Sequence, residues 1–307
     1  MHSLFGRARR LVQGVLALCS LSALFSAPGA ALGSAVPDRY ETAVKTQAPL
    51  EQKYLRPGPF PTANLEHPVP EKWKKYIVWY PAGLAEAEKA RPVLVLCNGT
   101  GVRASSAAAM MRHFASWGFI ILGSEDENSW EGLSAQKSLE WLLAENERKG
   151  SVFYRRVDRK AVGAFGHSQG GVGAVNAVTV QPGRRLYKAA AVESPTGLPL
   201  ARNLKWTYAP EKVEIPVFYL AGSGFFDSRI IIPPQELLRL FELSSRSPFR
   251  VMAIRRESDH GEMLYKADGY VTAWFLYWLQ GDKAAGAVFR KGGELARNPL
   301  YEKVRIE

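Results

Sequence analysis

Apolar and polar positions alternate in two registers along the chain, and the alternation predicts most of its secondary structure. Short apolar runs rich in β-branched and aromatic residues, at Tyr76–Tyr80, Val93–Cys97, Phe119–Leu122, Ala161–Phe165, Ala189–Val192, Val217–Leu220 and Phe249–Ile254, read as strands. Between them the period lengthens. Ala107–Trp117 and Leu133–Asn146 read as helices, the second with Ala135, Leu139, Leu142 and Asn146 along one face, and further helices start near Gln169, Gln235 and Asp268. Strands alternating with helices of this length predict an α/β fold, a mainly parallel central sheet with helices on both faces. Tyr270–Leu279, the most apolar stretch after the N-terminus, is too short to span a bilayer, which needs about 20 residues, and is expected to pack in the core.

The two ends of the first 70 residues depart from this pattern. Arg7, Arg9 and Arg10 precede an apolar run from Leu11 to Phe25 that closes in small residues, with cleavage positions available near Ala31 and Ala35. This reads as a signal peptide over 1–35 and a secreted or periplasmic protein over 36–307. Residues 36–70 hold Pro57, Pro59, Pro61, Pro68 and Pro70 and are expected to form an irregular wrap. With no repeat or low-complexity linker beyond it, residues 36–307 are expected to make one domain.

The net charge of +11 stays positive after residues 1–35 are removed, yet Lys and Arg are scattered and no nucleic-acid motif accompanies them. A solubilising surface is expected, with no nucleic-acid partner. Cys97 is the one cysteine beyond the leader, which excludes an intramolecular disulfide in the mature chain.

Chemistry concentrates at Gly166-His167-Ser168-Gln169-Gly170-Gly171, a G-x-S-x-G element between a strand and a small-residue helix. Such a turn holds a serine in a strained conformation above the sheet edge, with the next backbone N–H at a helix N-terminus. A serine needs a base. His2 lies in the leader, His67 in the wrap and His113 on a helix, while His167 is expected to point away from Ser168. His260 remains, in Ser258-Asp259-His260-Gly261 after the Phe249–Ile254 strand. The acid that braces it is expected at Asp227, beyond the Val217–Leu220 strand, in the order Ser, Asp, His. Glu193 is the alternative acid, and Asp259 lies too close to His260 along the chain. Catalysis is thus expected from Ser168, Asp227 and His260.

The loop Asn98-Gly99-Thr100-Gly101 follows an earlier strand and is expected to supply an oxyanion-hole N–H at Thr100, beside that of Gln169. The same Gly99-Thr100-Gly101 loop fits a dinucleotide fingerprint with Glu125 as ribose-binding acid. That reading as an oxidoreductase loses to the coincidence of Ser168, Asp227 and His260. A catalytically silent binding protein on the same fold is the other alternative. Glu125, Asp126 and Glu127 are read as a solvated loop, or else as a selector of polar or cationic substrates. Only Ser194–Val213 is free to cover the site, so an open cleft is expected, with Trp206 and Tyr208 as candidate lining.

These motifs, with Ala221-Gly222 at the acid strand's exit, resemble the secreted α/β-hydrolases that include poly(ethylene terephthalate) hydrolases, bacterial cutinases and chlorophyllase-like or dienelactone-hydrolase-like proteins. The likeness runs from about Val93 to Gly281. It implies cofactor-free hydrolysis of a small or polymeric ester, with Thr100 and Gln169 as oxyanion donors. In the polyester hydrolases an aromatic stands at the position of Thr100 and a Trp follows the strand where this chain has Glu193-Ser194-Pro195-Thr196, so polyester cleavage is not implied. The spacing from Gly222 to Asp227 is also longer than that group's usual turn.

Overall fold

A computed structural model describes residues 36–307; the expected signal peptide lies outside the described residues. Among the described residues nine strands form one sheet: β1 (Thr62–Pro68), β2 (Lys75–Pro81), β3 (Arg91–Cys97), β4 (Ile120–Ser124), β5 (Val157–His167), β6 (Tyr187–Glu193), β7 (Val217–Gly222), β8 (Arg250–Arg255) and β9 (Tyr301–Ile306). Their order is β1-β2-β4-β3-β5-β6-β7-β8-β9. Strands β3 to β8 run parallel to one another, while β1, β2 and β9 are antiparallel additions at the two edges. This is the mainly parallel α/β sheet that the alternating pattern predicts, in the α/β-hydrolase architecture that the resemblance implies.

Six helices of seven residues or more among the described residues pack on the sheet: α1 (Pro49–Leu55), α2 (Ala108–Ser116), α3 (Leu133–Glu147), α4 (Gln169–Thr179), α5 (Pro234–Leu243) and α6 (Asp268–Gln280). Because side chains alternate across a strand, each inner strand feeds both faces. On β5, Phe165 joins α1, α2 and α6 through Phe114 and Phe275, while Val162 and Ala164 join α3, α4 and α5 through Leu139, Val175 and Leu237. Trp274 of α6 is fully buried, so this apolar helix is core, as its length required.

Residues 36–70 are not the irregular wrap expected of them. They contain α1 and β1, and Pro49 sits at the first position of α1, where a missing N–H costs nothing. Glu51 of α1 is wholly buried. Its carboxylate accepts from Thr46 Oγ1 at 2.5 Å, Asn298 Nδ2 at 2.7 Å and the Tyr301 hydroxyl at 2.8 Å, which ties the start of the described chain to its last strand.

Candidate active site

The sheet's C-terminal edge gathers the chemistry. Strand β5 ends at His167 and α4 begins at Gln169, so Ser168 alone makes the turn, at φ 59° and ψ −122°. A non-glycine residue at positive φ is strained by about 1–3 kcal/mol, and the flanking glycines show why the chain accepts it. A Cβ on Gly166 would lie 2.0 Å from the Gly170 carbonyl oxygen, and one on Gly170 would lie 2.0 Å from that of Cys97. Helix and strands therefore cross at a distance that no larger residue permits. The Ser168 N–H donates to the Glu193 carbonyl at 2.9 Å, fixing the turn to β6.

Asp227 and His260 arrive from the next two strands. Asp227 sits in a π-helical turn, Phe226–Ile231, after β7 and is fully buried. Its Oδ1 lies 2.6 Å from His260 Nδ1. Its Oδ2 accepts from Ser194 Oγ at 2.5 Å and from the Gly222 N–H at 2.6 Å. Burial pushes this carboxyl up, but His260 and the two further donors outweigh it, and the net shift is below the ordinary aspartate range. With Nδ1–H donating to Asp227, His260 Nε2 is left as an acceptor; it is buried and has no hydrogen-bond partner among the described residues. Ser168 and His260 thus share one edge without a formed hydrogen bond between them, a bond that often tightens only when substrate binds.

Two side chains that hold this edge are not legible as such in the sequence. His167 is the first: its ring lies 4.5 Å from that of His260, and its Nε2–H donates to the His260 carbonyl at 2.8 Å. Burial first, and the neighbouring His260, push the His167 imidazolium down to about 3, so His167 is a neutral tether. Ser194, at φ 42°, is the second. Its hydroxyl is a donor to Asp227 that only the fold brings there, since 33 residues separate them. Asp259 acts on backbone, accepting from the His260 N–H at 2.9 Å and capping the turn together with Glu262.

Glu193, the alternative acid, makes no hydrogen bond to His260. Its side chain is fully buried with no partner for either oxygen among the described residues, and burial, with Asp268 and Asp227 as neighbouring negative charges, holds its carboxyl well above the glutamate range. Asp268, which accepts from the Tyr40 hydroxyl, is raised by burial in the same way. His113, also discounted as a base, is buried against the Tyr54 carbonyl and Thr272 Oγ1, both at 3.1 Å.

On the other side of Ser168 lies the loop after β3. A Cβ on Gly99 would stand 3.6 Å from the Ser168 Cβ, so this backbone passes directly beside the serine. Among the described residues the N–H groups of Thr100 and Gln169 find no protein acceptor. Asn98 anchors the loop, donating to the Ser124 and Asp126 carbonyls at 2.6 and 2.8 Å and accepting from Ser129 Oγ at 2.6 Å. The Gln169 side chain grips the same segment through Ser129 N–H and Asn128 Oδ1. The acids after β4 are engaged here. Glu125 accepts from the N–H and hydroxyl of Ser105, both at 2.9 Å, Glu127 pairs with Arg103 at 2.5 Å, and Asp126 accepts from the Asn128 N–H. Cys97 is buried, and burial pushes its thiol up to about 12, far from a reactive thiolate. Of the two candidate lining residues, Tyr208 is committed to the Thr196 carbonyl at 2.7 Å.

A family model described as PET hydrolase-like matches residues 46–223. The chain belongs to the PET hydrolase-like family. That makes it a hydrolase on the α/β-hydrolase fold, of a family whose members are serine ester hydrolases. The PET hydrolase-like match contains Thr100, Ser168, Gln169 and Glu193 but ends before Asp227 and His260, for which the geometry above is the evidence. No curated protein matches the chain.

Proposed function

We propose that this chain is an exported serine hydrolase that cleaves carboxylic esters through an acyl-enzyme on Ser168. The observation that carries the reading is the 2.6 Å contact between Asp227 Oδ1 and His260 Nδ1, which presents an unengaged Nε2 at the edge where Ser168 makes its strained turn. In the first half-reaction Ser168 Oγ bonds to the ester carbonyl carbon and its proton passes to His260 Nε2. The oxyanion is stabilised by the N–H groups of Thr100 and Gln169, each worth about 2.7–4 kcal/mol, with the N-terminus of α4 adding its dipole. The imidazolium then protonates the leaving alcohol as the C–O bond breaks. Water repeats the sequence on the acyl-enzyme, with His260 as base, and frees the acid. Asp227 keeps the imidazole in the productive tautomer throughout. No step calls for a cofactor.

The test is hydrolysis of a panel of nitrophenyl esters, with an organophosphate to trap the nucleophile. Ser168→Ala is expected to lose activity by about 10⁶, since members of such a set act as a unit. Retention of more than about a thousandth of the rate, or organophosphate labelling elsewhere, overturns the assignment. Export is tested separately by the N-terminal mass of the protein recovered from outside the cytoplasm, expected to lack residues 1–35.

A further inference from the structure

The opposite, N-terminal edge of the strands carries a second concave surface. A cleft of about 810 Å³ lies between the C-terminal end of α4, the turn Pro182–Leu186, the start of β6 and the segment leading into β7. This is within the roughly 300–1,000 Å³ of small-ligand sites. It is remote from Ser168, because β6 touches Ser168 through Glu193 at one end and opens the cleft with Tyr187 at the other, six residues and about 20 Å away at ~3.3 Å per residue.

Its lining is strongly one-signed. Arg184, Arg185, Lys188, Lys212 and Arg246 face one carboxylate, Glu214, and that carboxylate is taken by Arg246. The other four cations make no ion pair among the described residues; Lys188 Nζ reaches only the Arg185 carbonyl, at 3.2 Å. Four exposed like charges around one concavity repel each other, and a solubilising surface gains nothing by gathering them.

The backbone that presents them is held firmly. The Gly183 N–H donates to Gln136 Oε1 at 2.9 Å, Gln181 Nε2 donates to the Glu131 carbonyl at 2.8 Å, and the Arg184 N–H closes the turn on the Gln181 carbonyl. Both anchoring residues belong to α3 or the segment before it, so the two consecutive arginines stand on a fixed platform. Val178, Val180, Ile215 and Pro216 form an apolar wall beside the charges, and Val180 is 56 % exposed.

We propose that this cleft binds a multiply charged phosphate group, held by Arg184, Arg185, Lys188 and Lys212. Planar guanidinium forks match phosphate oxygens two at a time and lysines add point charge, while a single carboxylate would leave most of the positive charge uncompensated. The apolar wall accommodates the non-phosphate part of the ligand. A soluble oligophosphate and a phosphomonoester lipid headgroup share this chemistry. The site is independent of the ester-hydrolase reading.

The experiment is calorimetric titration of the protein with inorganic tripolyphosphate at constant ionic strength, alongside co-sedimentation with phosphatidic acid vesicles against phosphatidylcholine vesicles. The triple variant Arg184→Gln/Arg185→Gln/Lys212→Gln is expected to weaken binding at least 10-fold. Lys72→Gln/Lys89→Gln/Lys160→Gln removes equal charge from exposed positions elsewhere and is expected to change it less than 2-fold. Both variants should keep the parent melting temperature, and Lys212→Gln alone, across the cleft from the arginines, should weaken binding about 3-fold. Tripolyphosphate binding that the cleft variant loses identifies a soluble ligand; vesicle binding alone, lost in the same variant, identifies a lipid headgroup. Binding to neither probe, or equal losses in the two triple variants, overturns the proposal.

Discussion

Asp227 and Glu193 are both fully buried carboxyls within reach of the same edge, and their environments push them in opposite directions. Asp227 has three donors and stays ionised; Glu193 has none and stays protonated. Asp227→Asn is therefore expected to lower kcat by about 10⁴ with the fold intact, because the amide favours the wrong imidazole tautomer. Ser194→Ala removes one charge-assisted donor and is expected to cost about 10-fold in kcat, from the roughly 1.5–3 kcal/mol of such a bond. Glu193→Gln keeps shape and neutrality, so steady-state kinetics should hardly move. Stability is the sensitive readout for Glu193. A raised folded-state value means that the unfolded chain ionises first, so its contribution is fullest below the ordinary glutamate range and is lost as pH climbs from there toward the folded value. Thermal melts should accordingly show Glu193→Gln more stable than the parent near neutral pH, with the advantage vanishing by about pH 4. A pH-independent difference would assign the effect to packing.

At the scale of elements, the turn from β5 into α4 depends on backbone approach rather than on side-chain contacts. Gly170→Ala drives a Cβ into the Cys97 carbonyl, and either β3 or α4 must shift. The expected result is a loss of more than about 3 kcal/mol, at the upper end of overpacking, seen as a collapse of soluble yield or denaturation midpoint. The acid loop shows the other way in which a fold sets a residue's place. The extra length between Gly222 and Asp227 is taken up by Ser223, Gly224 and Phe225, the last 66 % exposed, before a π-helical turn directs Asp227 inward. A π turn of this kind is rare and, where it occurs, is frequently at a functional site. It explains how a spacing longer than the related group's turn still delivers the carboxylate to His260.

Across the whole molecule, the first described segment and the last strand stabilise each other through Glu51. Removing that carboxylate by Glu51→Ala leaves the Tyr301 hydroxyl and the Asn298 amide without their buried acceptor. The expected cost is about 2–4 kcal/mol, from unsatisfied buried donors, measured by chemical denaturation. The candidate active site lies elsewhere, so kcat of the folded fraction should be unchanged; a large fall in kcat would show that this brace reaches the catalytic edge.

The sequence by itself determined the parallel core of the sheet, because β3 to β8 carry apolar runs bounded by helical periods, and it marked Ser168, Asp227 and His260 through their places after β5, β7 and β8. Strands β1 and β9 escaped it. Both are edge strands with alternating partial exposure, and half-exposed residues leave little hydrophobic signal for a period to be read from. The partners of the site escaped it too. Whether His167 tethers His260, whether Ser194 meets Asp227, and whether Asp227 or Glu193 is the carboxylate that reaches His260 all depend on contacts between residues far apart in the chain. Those contacts exist only once six parallel strands bring their C-terminal ends to one edge, and no local pattern records which way a side chain faces there.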